Sequence, residues 1–169
     1  MMLLAAGLAG CEEEAPVWDT LRVVVDTDAE VPAELDAFSL TVERSGVTVL
    51  SESWDASVLA ALPDSFVIGN ENPNNDSPDQ QLSSVKPITV TVIGYHEGTP
   101  RLRRSAELRF NRGNYQLPLP LCADCLDVDC PAEQTCKRGA CAGDDIGAVS
   151  ELPDDEDGTL TDALGECSP

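Results

Sequence analysis

Basic residues are scarce in this chain: ten Lys and Arg stand against thirty-one Asp and Glu, a formal net charge of -21 over 169 residues. Phosphate backbones repel a polyanion of this kind, so nucleic acid is excluded as a partner. There is one histidine, His96. Chemistry that assembles two or three imidazoles, a His-rich zinc site above all, is excluded with it. Aromatic residues make up only 4% of the chain, yet 42% of it is apolar, enough aliphatic material to rule out a wholly disordered protein. Neither a Gly-x-Ser-x-Gly nucleophile elbow nor a glycine-rich phosphate loop occurs, which removes two common catalytic signatures. Long apolar runs are missing as well. The longest, Met1 to Gly10, falls far short of the about 20 residues that cross a bilayer as a helix.

That short run stops at Cys11, and Glu12, Glu13 and Glu14 follow it. An apolar stretch ending in small residues reads as the back half of a secretory signal, whose basic front region would lie upstream of Met1. Leu8-Ala9-Gly10-Cys11 resembles the lipobox of bacterial lipoproteins, in which the cysteine becomes the first mature residue and carries a diacylglyceryl group. The resemblance implies removal of 1–10, lipidation of Cys11 and a short charged tether over 11–16. Each buried acyl methylene contributes about 0.8 kcal/mol, so a multiply acylated Cys11 holds a protein on a membrane almost permanently.

Seven cysteines occur, and six of them, Cys122, Cys125, Cys130, Cys136, Cys141 and Cys167, lie in the last third of the chain. Export places these six in an oxidising compartment, where clustered cysteines pair. Three bridges are expected. Six cysteines allow 15 pairings, and the preferred set is Cys125 with Cys136, Cys130 with Cys141, and Cys122 with Cys167. Cys122-x2-Cys125 alone hints at zinc or a redox pair, but no second Cys-x2-Cys knuckle follows and no βαβ context surrounds it. Lys137-Arg138-Gly139-Ala140 reads as a tight turn with Gly139 at positive φ. A knot over 122–141 has little apolar core of its own. Reduction is expected to loosen it and leave the body largely intact.

Between Val17 and Leu121 apolar residues recur at every second position, in short runs separated by Gly, Pro, Asn and Asp, which is the strand signature. Leu21, Val23 and Val25 form one such set; Phe38, Leu40 and Val42 form another; Ile88, Val90 and Val92 a third. Ser45-Gly46 and His96-Glu97-Gly98-Thr99 read as hairpin turns. Ser57 to Leu62 is a helical turn or a loop, Ser65 to Ile68 a short edge strand, and Asn70 to Gln81 a long exposed loop. Pro118 and Pro120 alternate with Leu117, Leu119 and Leu121, which assigns that strand to a sheet edge because proline cannot donate to a ladder. About seven strands over 17–121 predict an all-β fold, a two-sheet immunoglobulin-like or transthyretin-like sandwich, followed by a small disulfide-rich segment.

The alternating body, with Phe110-Asn111-Arg112-Gly113 and Leu117-Pro118-Leu119-Pro120-Leu121 at its end, then Cys130-Pro131-x4-Cys136-x2-Gly139-x-Cys141, resembles exported lipoproteins of the myxobacterial type. What the resemblance implies is a lipid-anchored β-sandwich with a cysteine-rich coda and no established activity.

Charge is segregated along the sequence. The stretch 142–169 carries nine acids, Asp144, Asp145, Glu151, Asp154, Asp155, Glu156, Asp157, Asp162 and Glu166, and no Lys or Arg, and reads as a solvated, mobile tail. Asp155-x-Asp157-Gly158 with Asp162 partly matches a calcium loop, but the EF-hand frame puts Pro153 at its first position and Leu164 at its twelfth. Five of the ten basic residues, Arg101, Arg103, Arg104, Arg109 and Arg112, lie within twelve positions. On a strand, Arg101, Arg103 and Arg109 share a face and form a candidate anion-binding stripe, for the chain's own tail or for an anionic headgroup or glycan; a solvated or edge-protecting face is the plainer reading. His96 belongs to a surface turn, and Trp18 and Trp54 to the core rather than to a sugar platform. No cofactor, metal or catalytic residue is assigned. The expectation is a non-enzymatic binding or structural module, lipid-anchored at the cell envelope with the outer membrane favoured, whose partner is the membrane and another envelope protein or an anionic glycan. A small secreted hydrolase working through paired carboxylates, and a calcium-dependent adhesion module, are the alternatives.

Overall fold

Alternation becomes strands in a computed structural model of the chain, which describes residues 20–69, 87–108, 114–144, 150–151 and 167. The strands are β1 (Thr20–Val25), β2 (Ala37–Arg44), β3 (Val47–Asp55), β4 (Asp64–Gly69), β5 (Ile88–His96), β6 (Thr99–Leu108), β7 (Asn114–Pro118), β8 (Gln134–Lys137), β9 (Ala140–Gly143) and β10 (Ser150–Glu151). One sheet has the order β10-β7-β1-β4, a second the order β3-β2-β5-β6, and β8 pairs with β9 alone. All pairings are antiparallel except β1 with β7, which run parallel. The two larger sheets pack face to face. Leu21, Val23 and Val25 of β1 meet Phe38, Leu40 and Val42 of β2 and Ile88, Val90 and Val92 of β5 in one buried cluster. These are the inward sets that a period of two selects.

Three hairpins turn on a residue followed by glycine, and both turn residues have positive φ each time. The values are 51° and 76° at Ser45-Gly46, 49° and 74° at Glu97-Gly98, and 51° and 71° at Arg138-Gly139. Left-handed backbone at both positions is the type I′ pattern, whose twist matches that of the flanking strands. Elsewhere a Cβ on Gly94 would sit 2.9 Å from Leu35 Cδ2, so any larger residue there must push the buried Leu35 side chain aside. The helical turn is α1, Ala56–Leu59, and Asp55 caps it by accepting from the Ser57 amide at 2.9 Å. The Ser57 hydroxyl and amide together hold the Asp55 carboxyl below its ordinary pKa.

Two placements differ from the sequence reading. The strand ending in prolines is not at the edge, because β7 lies between β1 and the two-residue β10. The amides of Leu119 and Leu121 donate to Val24 and Asp26 carbonyls, each at 2.8 Å, so Pro118 and Pro120 take the alternate positions that face away from β1. β10 pairs only with Tyr115 and Gln116 and stops before them. The acidic stretch is likewise not wholly free, for Ser150 and Glu151 form β10 and Cys167 is buried. The segment Asn70 to Gln81 lies outside the described residues.

Candidate functional site

Strand β6 closes its sheet, and the cysteine-rich segment lies along its open side. The Asp127 amide donates to the Arg101 carbonyl at 2.6 Å, the Ser105 amide to Thr135 Oγ1 at 2.9 Å, and the Glu107 amide to the Asp144 carbonyl at 2.8 Å. A row of backbone groups that would template another chain is thereby satisfied from within. The segment pairs Cys122 with Cys167, Cys125 with Cys136 and Cys130 with Cys141, the set preferred on sequence. Cys136 and Cys141 stand directly opposite each other across the β8-β9 hairpin, yet each bonds to a cysteine of the preceding loop, so the two bridges interlace. Cys122 and Cys125 belong to different bridges, and the zinc or redox reading of their spacing falls. Cys125 and Cys136 are members of the main hydrophobic cluster. The knot shares the sandwich's core rather than lacking one.

The arginines of β6 separate. Leu102, Arg104, Ala106 and Leu108 are buried on one face, while Arg103 and Glu107 are exposed on the other. Arg104, only 4% exposed, sends its Nη1 to the Cys136 carbonyl of β8, tying the sandwich interior to the disulfide hairpin. Sequence reasoning counted this residue with the others and missed its role. The available signal was its phase, since it interrupts an otherwise apolar inward set. Arg101 sits where the β5-β6 register shifts, between Leu102 opposite Gly94 and Pro100 opposite Tyr95. Its guanidinium grips Asp127 with Nε on Oδ1 and Nη2 on Oδ2 at 2.7 Å, a two-point fork. Arg103 is open to solvent, and Arg109 lies outside the described residues.

The Arg101 fork holds the Asp127 carboxyl below its ordinary pKa. A carboxyl depressed in the folded state contributes stability that is present above its unfolded value and is lost as pH falls through the folded one. Acidification from the ordinary carboxylate range downward should therefore loosen the Asp127 loop from β6. A lower protection factor at the Asp127 amide, taken against the intrinsic rate at each pH, is the expected sign, and Asp127→Asn should show low protection already at neutral pH. An unchanged protection factor across that range would remove the fork as an anchor.

His96 ends β5 beside the turn, as read, with Nδ1 3.7 Å from Asp36 Oδ2. That distance is too long for a hydrogen bond; the same Asp36 oxygen accepts from the Glu97 amide at 2.7 Å. Trp54 is half-buried, stacked on Phe38 at 4.8 Å between ring centroids and tilted on Phe66 at 4.3 Å, so its ring is engaged in the core. Trp18, Cys11 and the calcium-like Asp155, Asp157 and Asp162 lie outside the described residues. Among the described residues no group of three or more His, Cys, Asp or Glu is placed to hold a metal, and no helix is long and apolar enough to cross a membrane.

No protein-family model matches the chain, and no curated protein matches it. One similar solved structure is an alternative pilotin from the type II secretion system of Vibrio cholerae, with a TM-score of 0.38 and 7% identity over 62% of this chain and 96% of that one. At that score the likeness assigns neither family nor function.

Proposed function

We propose that the chain is a non-enzymatic, extracytoplasmic module, fastened to a membrane of the cell envelope by lipid on Cys11, whose sandwich binds or supports another envelope component. One observation carries this reading. All six C-terminal cysteines are used up in three mutual bridges, which leaves Cys11, behind Leu8-Ala9-Gly10, as the odd one. Disulfides persist in oxidising compartments, and a seventh cysteine at a lipobox position has an acyl group as its natural partner. The hydrolase alternative needs a carboxyl whose pKa is raised so that it can donate a proton. Among the described residues the two carboxyls with a resolved shift, Asp55 and Asp127, are displaced the other way by their hydrogen bonds.

Intact mass of the protein taken from membranes tests the reading. The expected mass begins at Cys11, carries acyl chains and lacks the six hydrogen atoms given up by three bridges. Cys11→Ser should move the protein from the membrane to the soluble fraction with the bridges unchanged. An unacylated, membrane-free native protein would overturn the proposal.

A further inference from the structure

The outer edges of the two sheets are finished in different ways. β6 is covered by the disulfide segment, as described. β10 is two residues long and lies on a strand that continues into Pro118 and Pro120. β4 has six residues and is entered through Pro63. β3 has no comparable finish. Its nine residues, Val-Thr-Val-Leu-Ser-Glu-Ser-Trp-Asp, include no Pro, Lys or Arg; its edge features are acidic, Glu52 opposite the inward Leu40 and Asp55 at its end, with one bulge at Val49. Its register against β2 is uninterrupted from Leu50 to Asp55, the single shift lying at the Val42/Glu43 end. Among the described residues no backbone–backbone hydrogen bond reaches the outer side of Leu50–Asp55, and only the Asp55 carboxylate is engaged, by Ser57. Val47 and Val49 are 64% and 49% exposed. An antiparallel strand directs alternate amides and carbonyls away from its partner, so among the described residues β3 presents an unused row of them.

We propose that β3 is a docking edge for an extended cationic segment of a partner protein, which adds to the β3-β2-β5-β6 sheet as a fifth strand. Backbone pairing would supply the affinity in such an addition, and alternate side chains the selectivity. Charge chooses the occupant. Glu52 is exposed on β3, Asp55 ends it, Glu43 lies beside it on β2, and Asp64 begins the neighbouring β4. On these elements only Arg44, at the hairpin end, is basic. A second copy of the chain would bring two charges of -21 together, whereas Lys or Arg across from Glu52 gains a cross-strand ion pair. The inference rests on reading the chain as a binding module and is independent of the lipid on Cys11.

The test is hydrogen exchange of the full-length, disulfide-intact protein with three synthetic nine-residue peptides. These are an alternating Lys-Val peptide, its Glu-Val counterpart, and the Lys-Val peptide N-methylated at alternate amides. The Lys-Val peptide should slow exchange at Leu50–Asp55 at least tenfold and the other two should not. Ser51→Lys with Ser53→Lys, both on the exposed edge, should weaken binding of the Lys-Val peptide at least tenfold. Protection elsewhere, or none, would sink the docking edge; equal protection by Glu-Val would sink the cationic partner. Protection that grows with protein concentration and no peptide would make the occupant a second copy instead. Mass at Cys11 is read separately, so either proposal can fail while the other stands.

Discussion

Replacing Cys125 and Cys136 together with alanine should destabilise the protein by about 4–5 kcal/mol, against about 2–3 kcal/mol for the pair Cys130 and Cys141, within the range measured for native disulfides. Both bridges close the same sequence separation, 11 residues. The chain-entropy contribution, about 3 kcal/mol for a loop near this length, is therefore common to both, and any difference must come from the folded state. Cys125 and Cys136 are each 2% exposed and belong to the core cluster, whereas Cys141 is open to solvent. Losing the inner bridge also frees the β8 strand whose Cys136 carbonyl holds the buried Arg104 guanidinium, and a buried charged group without its partner is costly. Denaturant unfolding of the two double variants checks the order. Mild reductant should open Cys130–Cys141 first because its sulfurs are reached more easily. Equal losses for the two pairs would mean that the knot hangs from the sandwich without sharing its core.

That result bears on the expectation that reduction loosens only the C-terminal segment. From sequence, the knot has few apolar residues of its own, and independence follows from that poverty. In the fold, Ala123, Leu126, Val128 and Cys130 pack on the sandwich cluster, so the missing core is supplied by β6 and its neighbours. Complete reduction should accordingly perturb β6 as well as the hairpin.

The sandwich was legible because its strands obey local rules. Inward residues on β1, β2 and β5 alternate without a break, and each two-residue turn carries its glycine. What was not legible depends on partners distant in sequence. The Arg104 contact spans 32 residues, and nothing near Arg104 announces that a β8 carbonyl will meet it. The parallel pairing of β1 with β7 joins Thr20 to Asn114, so prolines that predict an edge strand occupy only the positions whose amides would face away from β1. Ser51-Glu52-Ser53 lacks the apolar alternation that marks a strand, yet β3 runs through it to Asp55. Its bareness is the mark of an edge strand, and the same polar run underlies the docking proposal. The arginine stripe illustrates a third limit. Alternation places Arg101 and Arg103 in phase on β6, but it does not announce that Asp127, 26 residues away, takes up the Arg101 guanidinium.

Phe38→Ala should cost about 3–5 kcal/mol, the range for removing a buried aromatic ring, and should expose Trp54. Phe38 is fully buried and faces Trp54 across the β2-β3 pair, while Phe66 of the opposite sheet meets both rings, at 5.8 Å edge-on to Phe38 and 4.3 Å to Trp54. Three rings in a chain with so few aromatics thus close the gap between the sheets where α1 carries the chain from β3 to β4. Two effects add: the transfer free energy of the ring, and the cavity left because strands locked in register relax only partly. Trp54 then loses its stacking face, and with Trp18→Phe as background its emission should shift to the red while the β3 amides exchange faster. Phe38→Leu, which keeps most of the volume, should recover most of the stability but not the ring stacking. Similar losses for alanine and leucine would mean that aromatic contact rather than filled volume holds this corner. An unshifted emission in the alanine variant would mean that Phe66 alone shields Trp54.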